Sequence, residues 1–121
     1  MKENKLADMS NEFSVEIINL VKKLKKEHET IISNQIGRSG TSIGANIREA
    51  NYAQSKSDFI SKFEIALKES NETGYWLELL YKTGYIDEPC CKKLNNHCSG
   101  IRVLLIASCK TVKENQSIQV K

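Results

Sequence analysis

The side chains best able to do chemistry are four cysteines, two histidines and a scatter of carboxylates, and their spacing is unfavourable for a site on one element. Cys90, Cys91, Cys98 and Cys109 contain no C-x-x-C pair. Cys91 and Cys98 stand seven residues apart, about 10.5 Å along a helix, too far to share one zinc ion. Cys90 and His97 have the same separation, and adjacent Cys90 and Cys91 point to different sides. They read as small buried hydrophobes with one or two surface thiols; a zinc site assembled between subunits is the alternative. His28 lies in a charged helix end, and His97 lies among Asn95, Asn96 and Ser99. The carboxylates Glu64, Glu69, Glu72 and Glu78 invite comparison with di-iron bundles, but no Glu is followed three residues later by His. Glu64 with Lys68 fits an i,i+4 surface ion pair instead. There is no G-x-S-x-G, no H-E-x-x-H and no phosphate-loop G-K-[ST]. The expectation is a protein that is not an enzyme and holds no cofactor or metal. A metal-binding protein or enzyme is the alternative from another class.

The basic residues offer binding chemistry. Lys22, Lys23, Lys25, Lys26, Arg38, Arg48 and Lys56 fall in the first half of the chain. They read either as solvated charge, the lysines suiting a helix C-terminus, or as a phosphate-contacting surface for RNA or DNA. Tyr52, Tyr75, Trp76 and Tyr81 could stack bases, or fill core and interfaces. A net charge of +3 permits nucleic-acid contact without demanding it.

The elements that must position these residues centre on Gln35–Ala50. Ile36, Gly40, Ile43, Ile47 and Ala50 follow steps of four and three. One position back, Gln35, Ser39, Ser42, Asn46 and Glu49 keep the same rhythm. Gly-Arg-Ser-Gly-Thr-Ser has turn chemistry, but both stripes hold phase across the glycines, which predicts a helix. Gly37, Gly40 and Gly44 each cost a helix about 1 kcal/mol against Ala, so the close approach of another backbone is expected there. Gln35, Ser39, Ser42, Gly44, Asn46 and Glu49 are therefore assigned to assembly, through a self-association surface whose mass should shift on enlarging Gly44 or Ala45 to Leu. Arg38 and Arg48 are expected to pair with Glu49 or Glu72 of another helix or subunit.

Elsewhere, Phe13, Ile17, Leu20 and Leu24 mark a first helix capped by Asp8 or Ser10. The second helix spans about Thr30 to Tyr52. Ser55–Asp58 form a connector and cap. Phe59, Phe63, Ala66, Ser70, Thr73, Leu77 and Leu80 mark a third helix that Gly84 stops. Asp87 caps a fourth with Cys91, Leu94, Cys98, Ile101, Leu105, Ser108 and Val112 on its seam. Four amphipathic helices with short polar breaks predict an all-α, up-down-up-down antiparallel four-helix bundle over 10–114. Residues 1–9 are expected to be disordered or frayed and 115–121 to be a flexible tail. A chain of 121 residues, 40% hydrophobic and 27% charged, fits one soluble domain. No signal peptide or roughly 20-residue apolar span is present, so a cytoplasmic location without membrane contact is expected, with reduced cysteines.

Three spaced runs carry a family resemblance. They are Gln35-x-x-Arg38-Ser39-x-x-Ser42-Ile43-x-x-Asn46-Ile47-x-Glu49-Ala50, then Ala53–Lys62, then Ala66-Leu67-Lys68-Glu69-Ser70-x-Glu72-Thr73-x-Tyr75-Trp76-Leu77 with Thr83–Ile86. In this order, over about residues 10–112, the chain resembles the bacterial four-helix bundle proteins first noticed as products of intervening sequences in 23S rRNA genes. The resemblance implies an up-down bundle assembled as a homopentameric ring. The family also includes the accessory variability determinant of diversity-generating retroelements, a basic pentamer that binds nucleic acid and a reverse transcriptase. Lys68-Glu69-Ser70, Tyr75-Trp76 and the modest charge place this chain nearer the general intervening-sequence branch. The expected function is a non-enzymatic, oligomeric binding or scaffold protein that contacts RNA or DNA through basic residues. The alternative is an adaptor for a protein partner such as a reverse transcriptase.

Overall fold

The computed structural model describes the backbone of residues 4–120 and the side chains of residues 4–115. Residues 1–3 and 121, parts of the expected terminal extensions, lie outside the described residues. The chain forms four helices: α1 (Lys5–Lys26), α2 (Ile31–Ala50), α3 (Lys56–Lys82) and α4 (Glu88–Val120). Each packs antiparallel on its sequence neighbour, and α4 closes the bundle on α1 through its thinnest interface; among the described residues the diagonal pairs do not pack. The architecture is the expected all-α four-helix bundle.

The first helix begins earlier than its expected cap. Asn4 is the N-cap, its side chain accepting from the Ala7 N–H at 3.1 Å. Leu6, seven residues before Phe13, is buried and extends the seam of Phe13, Ile17, Leu20 and Leu24. Burial of that leucine favours the extra turn, so neither Asp8 nor Ser10 is the cap. Ser10 is buried instead, donating to the Ala7 carbonyl. At the other end α4 continues past 114 to Val120.

α2 is one uninterrupted helix, and its glycines serve α1. A Cβ on Gly40 would lie 2.9 Å from Cγ1 and Cγ2 of Ile17, and one on Gly37 would lie 3.3 Å from Val21 Cγ2. At Gly44 the nearest atoms are the Ser10 and Ser14 hydroxyls at 3.4 Å. The close approach expected from the glycines is thus made by α1 of the same chain.

Ser55 caps α3 by accepting from the Asp58 N–H at 3.0 Å. Gly84, at φ 83°, takes the left-handed conformation that ends the helix without a Cβ penalty. The Tyr85 N–H then returns to the Leu80 carbonyl at 2.9 Å and Ile86 is buried. Asp87 caps α4 by accepting from the Cys90 N–H at 2.9 Å. The α4 seam is Cys91, Leu94, Cys98, Ile101, Leu105 and Cys109, with Cys109 in place of the expected Ser108. Met9, one turn into α1, already meets Gly100. Later turns of α4 therefore run past α1 and lean on α3, where Lys113 pairs with Glu64 at 3.0 Å. That pair replaces the expected Glu64–Lys68 contact.

Candidate nucleic-acid interface

The seven basic residues singled out from the sequence do not form one patch. The up-down topology sends Lys22, Lys23, Lys25 and Lys26 to one end of the bundle and Arg48 and Lys56 to the other. From Ile31 to Arg48 alone, α2 rises roughly 25 Å. Arg38 lies between the two ends and is neutralised.

At the first end, the four lysines occupy the last turns of α1, all exposed and, among the described residues, none in an ion pair or side-chain hydrogen bond. Consecutive residues turn by about 100°, so the ammonium groups fan around the helix. Beyond them His28 adopts a left-handed φ of 63°. This reversal brings Glu29 back so that its N–H bonds the Leu24 carbonyl at 2.9 Å. The Glu29 carboxylate, 7% exposed with its residue, accepts from the N–H groups of Ile32 at 3.0 Å and Ser33 at 2.7 Å. The anion-attracting start of α2 therefore already holds its own carboxylate. Phosphate contact at this end would fall to the lysines.

Arg38 donates to Glu69 Oε2 at 3.0 Å, to Glu72 Oε2, and to Gln35 Oε1 at 3.4 Å. Trp76 Nε1 donates to the same Glu72 oxygen at 2.9 Å. One guanidinium faces two carboxylates, so this belt is locally acidic and is removed from the phosphate-binding set. The Arg38–Glu72 pairing expected from the sequence is made within the chain.

The assembly residues are also largely used within the chain. Ser39 is buried, with its hydroxyl 2.9 Å from that of Thr73, which also donates to the Glu69 carbonyl at 2.8 Å. Gly44 is buried under α1. Neither can form a self-association surface, and a side chain as large as Leu at Gly44 would disturb α1 packing. Ser42 and Asn46 are half-buried and donate to carbonyls one turn earlier, Arg38 and Ser42. Glu49 is exposed and pairs with Lys62 of α3 at 3.2 Å. Gln35 is exposed beside Arg38. The polar stripe fixes the register of α2 against α3, with Ser39–Thr73 as its buried contact.

The second end combines free charge, an aromatic ring and surface relief. Arg48, in the last turn of α2, has no ion pair or hydrogen-bond partner for its side chain among the described residues. One turn on, Tyr52 is 78% exposed. The two side chains separate two hollows. On the α1 side, about 240 Å³ is enclosed by Ala7, Ser10, Asn11, Gly44, Arg48, Asn51 and Tyr52. On the α3 side, a wider hollow of about 780 Å³ adds Glu49, Gln54, Asp58 and Lys62. A third, of about 500 Å³, lies under the turn beside Lys56 and Phe59. Lys56 is half-buried and has no ion-pair partner among the described residues.

Other titratable groups serve structure. His97 Nδ1 lies 2.6 Å from Glu16 Oε1, and Lys93 pairs with Glu16 at 3.5 Å, joining α4 to α1. The four cysteines are free, three of them buried. Burial pushes the thiols of Cys90, Cys98 and Cys109 above their ordinary 9.0, with neighbouring Arg102 opposing the shift at Cys98. Among the described residues no group of three His, Cys, Asp or Glu side chains could hold a metal ion. No described helix is long and apolar enough to cross a membrane. Sequence reading missed Glu29, whose capping role depends on the reversal at His28, and Asn11 and Asn51, which only the fold places beside Arg48.

The sequence model of the family described as 23S rRNA-intervening sequence protein matches residues 2–107. A crystal structure of a protein of unknown function from the S23 ribosomal protein family of Bacteroides thetaiotaomicron VPI-5482 superposes with a TM-score of 0.85 at 55% identity, over 87% of this chain and 98% of that one. No curated protein matches the chain.

Proposed function

The chain belongs to the 23S rRNA-intervening sequence protein family, and from that premise we propose a non-enzymatic binding and scaffold role in which the free cations at the two ends of the bundle contact RNA or DNA. The observation that carries this reading is the gathering of unpaired cations at the two ends of the bundle. Lys62, Lys82, Lys92, Lys93 and Lys113 each have an acidic partner. Among the described residues the lysines closing α1, together with Arg48 and Lys56, have none, as is also true of Lys5, Lys68 and Lys110. Unpaired cations release counterions when they meet phosphate, which makes such binding steeply salt-dependent.

Self-association would multiply the two ends. Val15 and Ile18 on α1 and Val103 and Ile106 on α4 are large apolar side chains left exposed by the bundle. Their exposure suits a homopentameric ring in which copies of the chain would cover them. The same α4 pair favours a second reading, an adaptor that docks a protein partner such as a reverse transcriptase. Light scattering tests the ring, which requires about five times the 13.7 kDa of one chain. Titration of a labelled single-stranded RNA tests the binding. Lys22→Glu with Lys25→Glu should weaken it, and affinity indifferent to salt and to both substitutions would shift the assignment to the protein-docking reading.

A further inference from the structure

We infer that Arg48 and Tyr52, at the edge of the α2–α3 turn, form a site for one unpaired nucleotide, with the phosphate on Arg48 and the base on the Tyr52 ring. The inference deepens the nucleic-acid reading and rests on it only where the nucleotide belongs to a strand.

The three arginines have different fates. Arg38 is held by Glu69 and Glu72. Arg102 is tied to Ser70, through Nε to the hydroxyl and Nη2 to the carbonyl, each at 3.3 Å. Among the described residues none pairs with the donors of Arg48. A guanidinium presents a planar fork that suits phosphate oxygens. Beside it, the ring of Tyr52 buries little within the chain. Exposed rings stack on unpaired bases in sequence-tolerant binding of single strands.

The two hollows flanking this pair differ in chemistry. The narrow one has no carboxylate in its lining, and Asn11 and Asn51 add carboxamide donors to the charge of Arg48. Phosphate belongs on that side. The wide one contains Glu49, already paired with Lys62, and Asp58, which has no ion-pair partner among the described residues. Carboxylates repel phosphate and accept from exocyclic amino groups, so the base belongs there, on the α3 side of the ring. At about 240 Å³, the narrow hollow falls just below the roughly 300–1,000 Å³ of drug-sized ligand sites. It can hold one sugar-phosphate unit but not the two strands of a duplex.

The test compares wild type, Tyr52→Ala and Arg48→Gln, both at exposed positions, by fluorescence anisotropy with a short oligoadenylate and a duplex RNA of the same length. AMP is titrated in parallel while backbone amides are followed by NMR. Loss of the ring should weaken oligoadenylate binding roughly five- to 150-fold. Arg48→Gln should reduce the salt slope by about 0.7, one phosphate contact on a single strand. AMP should shift the amides of Asn11 and Asn51. If Lys22→Glu with Lys25→Glu removes oligoadenylate binding while Tyr52→Ala and Arg48→Gln leave it intact and AMP shifts nothing, the site is overturned and the broader reading stands. If AMP binds through Arg48 and Tyr52 but no strand does, the site stands for a free nucleotide and the broader reading falls. Absence of binding by both AMP and oligoadenylate overturns the site.

Discussion

Replacing Gly40 by Ala should destabilise the bundle, although the same change elsewhere in a helix normally helps. The helix-propensity gain is about 1 kcal/mol. Against it, the new Cβ would sit 2.9 Å from two carbons of Ile17 and 3.3 Å from a third. Ile17 is fully buried and β-branched, so its χ1 is held by its own helix and cannot turn aside. Relief then requires α1 and α2 to separate, and overpacking of this kind costs about 1–3 kcal/mol. The two terms leave a net loss of up to about 2 kcal/mol. Gly44 is the internal control, because its Cβ would meet only ordinary contacts at 3.4–3.5 Å. Gly44→Ala should therefore be neutral or stabilising by up to about 1 kcal/mol. Urea unfolding at one fixed protein concentration measures both, since assembly would make stability concentration-dependent. Ile17→Ala is itself costly, but in that background the added effect of Gly40→Ala should shrink or reverse sign, because the new methyl enters the space the isoleucine vacates. A Gly40→Ala protein more stable than wild type would refute the close contact between α1 and α2.

Three further outcomes are expected. Glu29→Ala should cost about 1–3 kcal/mol in urea unfolding, because two N–H groups at the start of α2 lose a buried carboxylate; an unchanged midpoint would contradict the capping role. Arg38→Ala should change stability by less than about 1 kcal/mol, because its side chain is 49% exposed and solvent screens the pair. It should also leave oligonucleotide affinity unweakened in the anisotropy assay, because the charge is already neutralised; a clear loss would return Arg38 to the binding set. Burial raises the Cys98 thiol above its ordinary 9.0, so the folded state disfavours the thiolate. Its contribution to stability is fully present below that value and is lost as pH rises above it toward the raised folded pKa. Iodoacetamide should accordingly spare Cys98 at neutral pH until denaturant is added, and rapid native labelling would contradict its burial.

Much of the bundle was readable from periodicity. The seams through Phe13–Leu24, Ile36–Ala50 and Phe63–Leu80 are core, and Gly84, Ser55 and Asp87 cap as their residue types suggest. The start of α1 was missed because Leu6 lies two turns before Phe13, with Asp8, Ser10, Asn11 and Glu12 among the residues between, and a local cap search stops at Ser10. The candidate interface was less legible. Spacing shows that Gly37, Gly40 and Gly44 need a close neighbour, but one sequence does not distinguish α1 from a second copy. Arg38, Arg48 and Lys56 look equivalent in a list of basic residues. Only tertiary placement sets Glu69 and Glu72 against the first and leaves the other two without a partner among the described residues. Charges close in sequence are also driven apart, since the lysines of α1 and Arg48 of α2 lie at opposite ends of antiparallel helices.

The most direct test of nucleic-acid contact through the free ends is the salt dependence of single-stranded RNA binding, measured between about 50 and 200 mM salt for wild type and for the Lys22→Glu, Lys25→Glu, Arg48→Gln variant. Log affinity of the wild type should fall linearly with log salt, and the triple variant should bind more weakly with a slope shallower by up to about 2, one 0.7 step for each lost contact. Wild-type affinity that ignores salt, or a triple variant with the wild-type slope, would contradict phosphate contact through these residues.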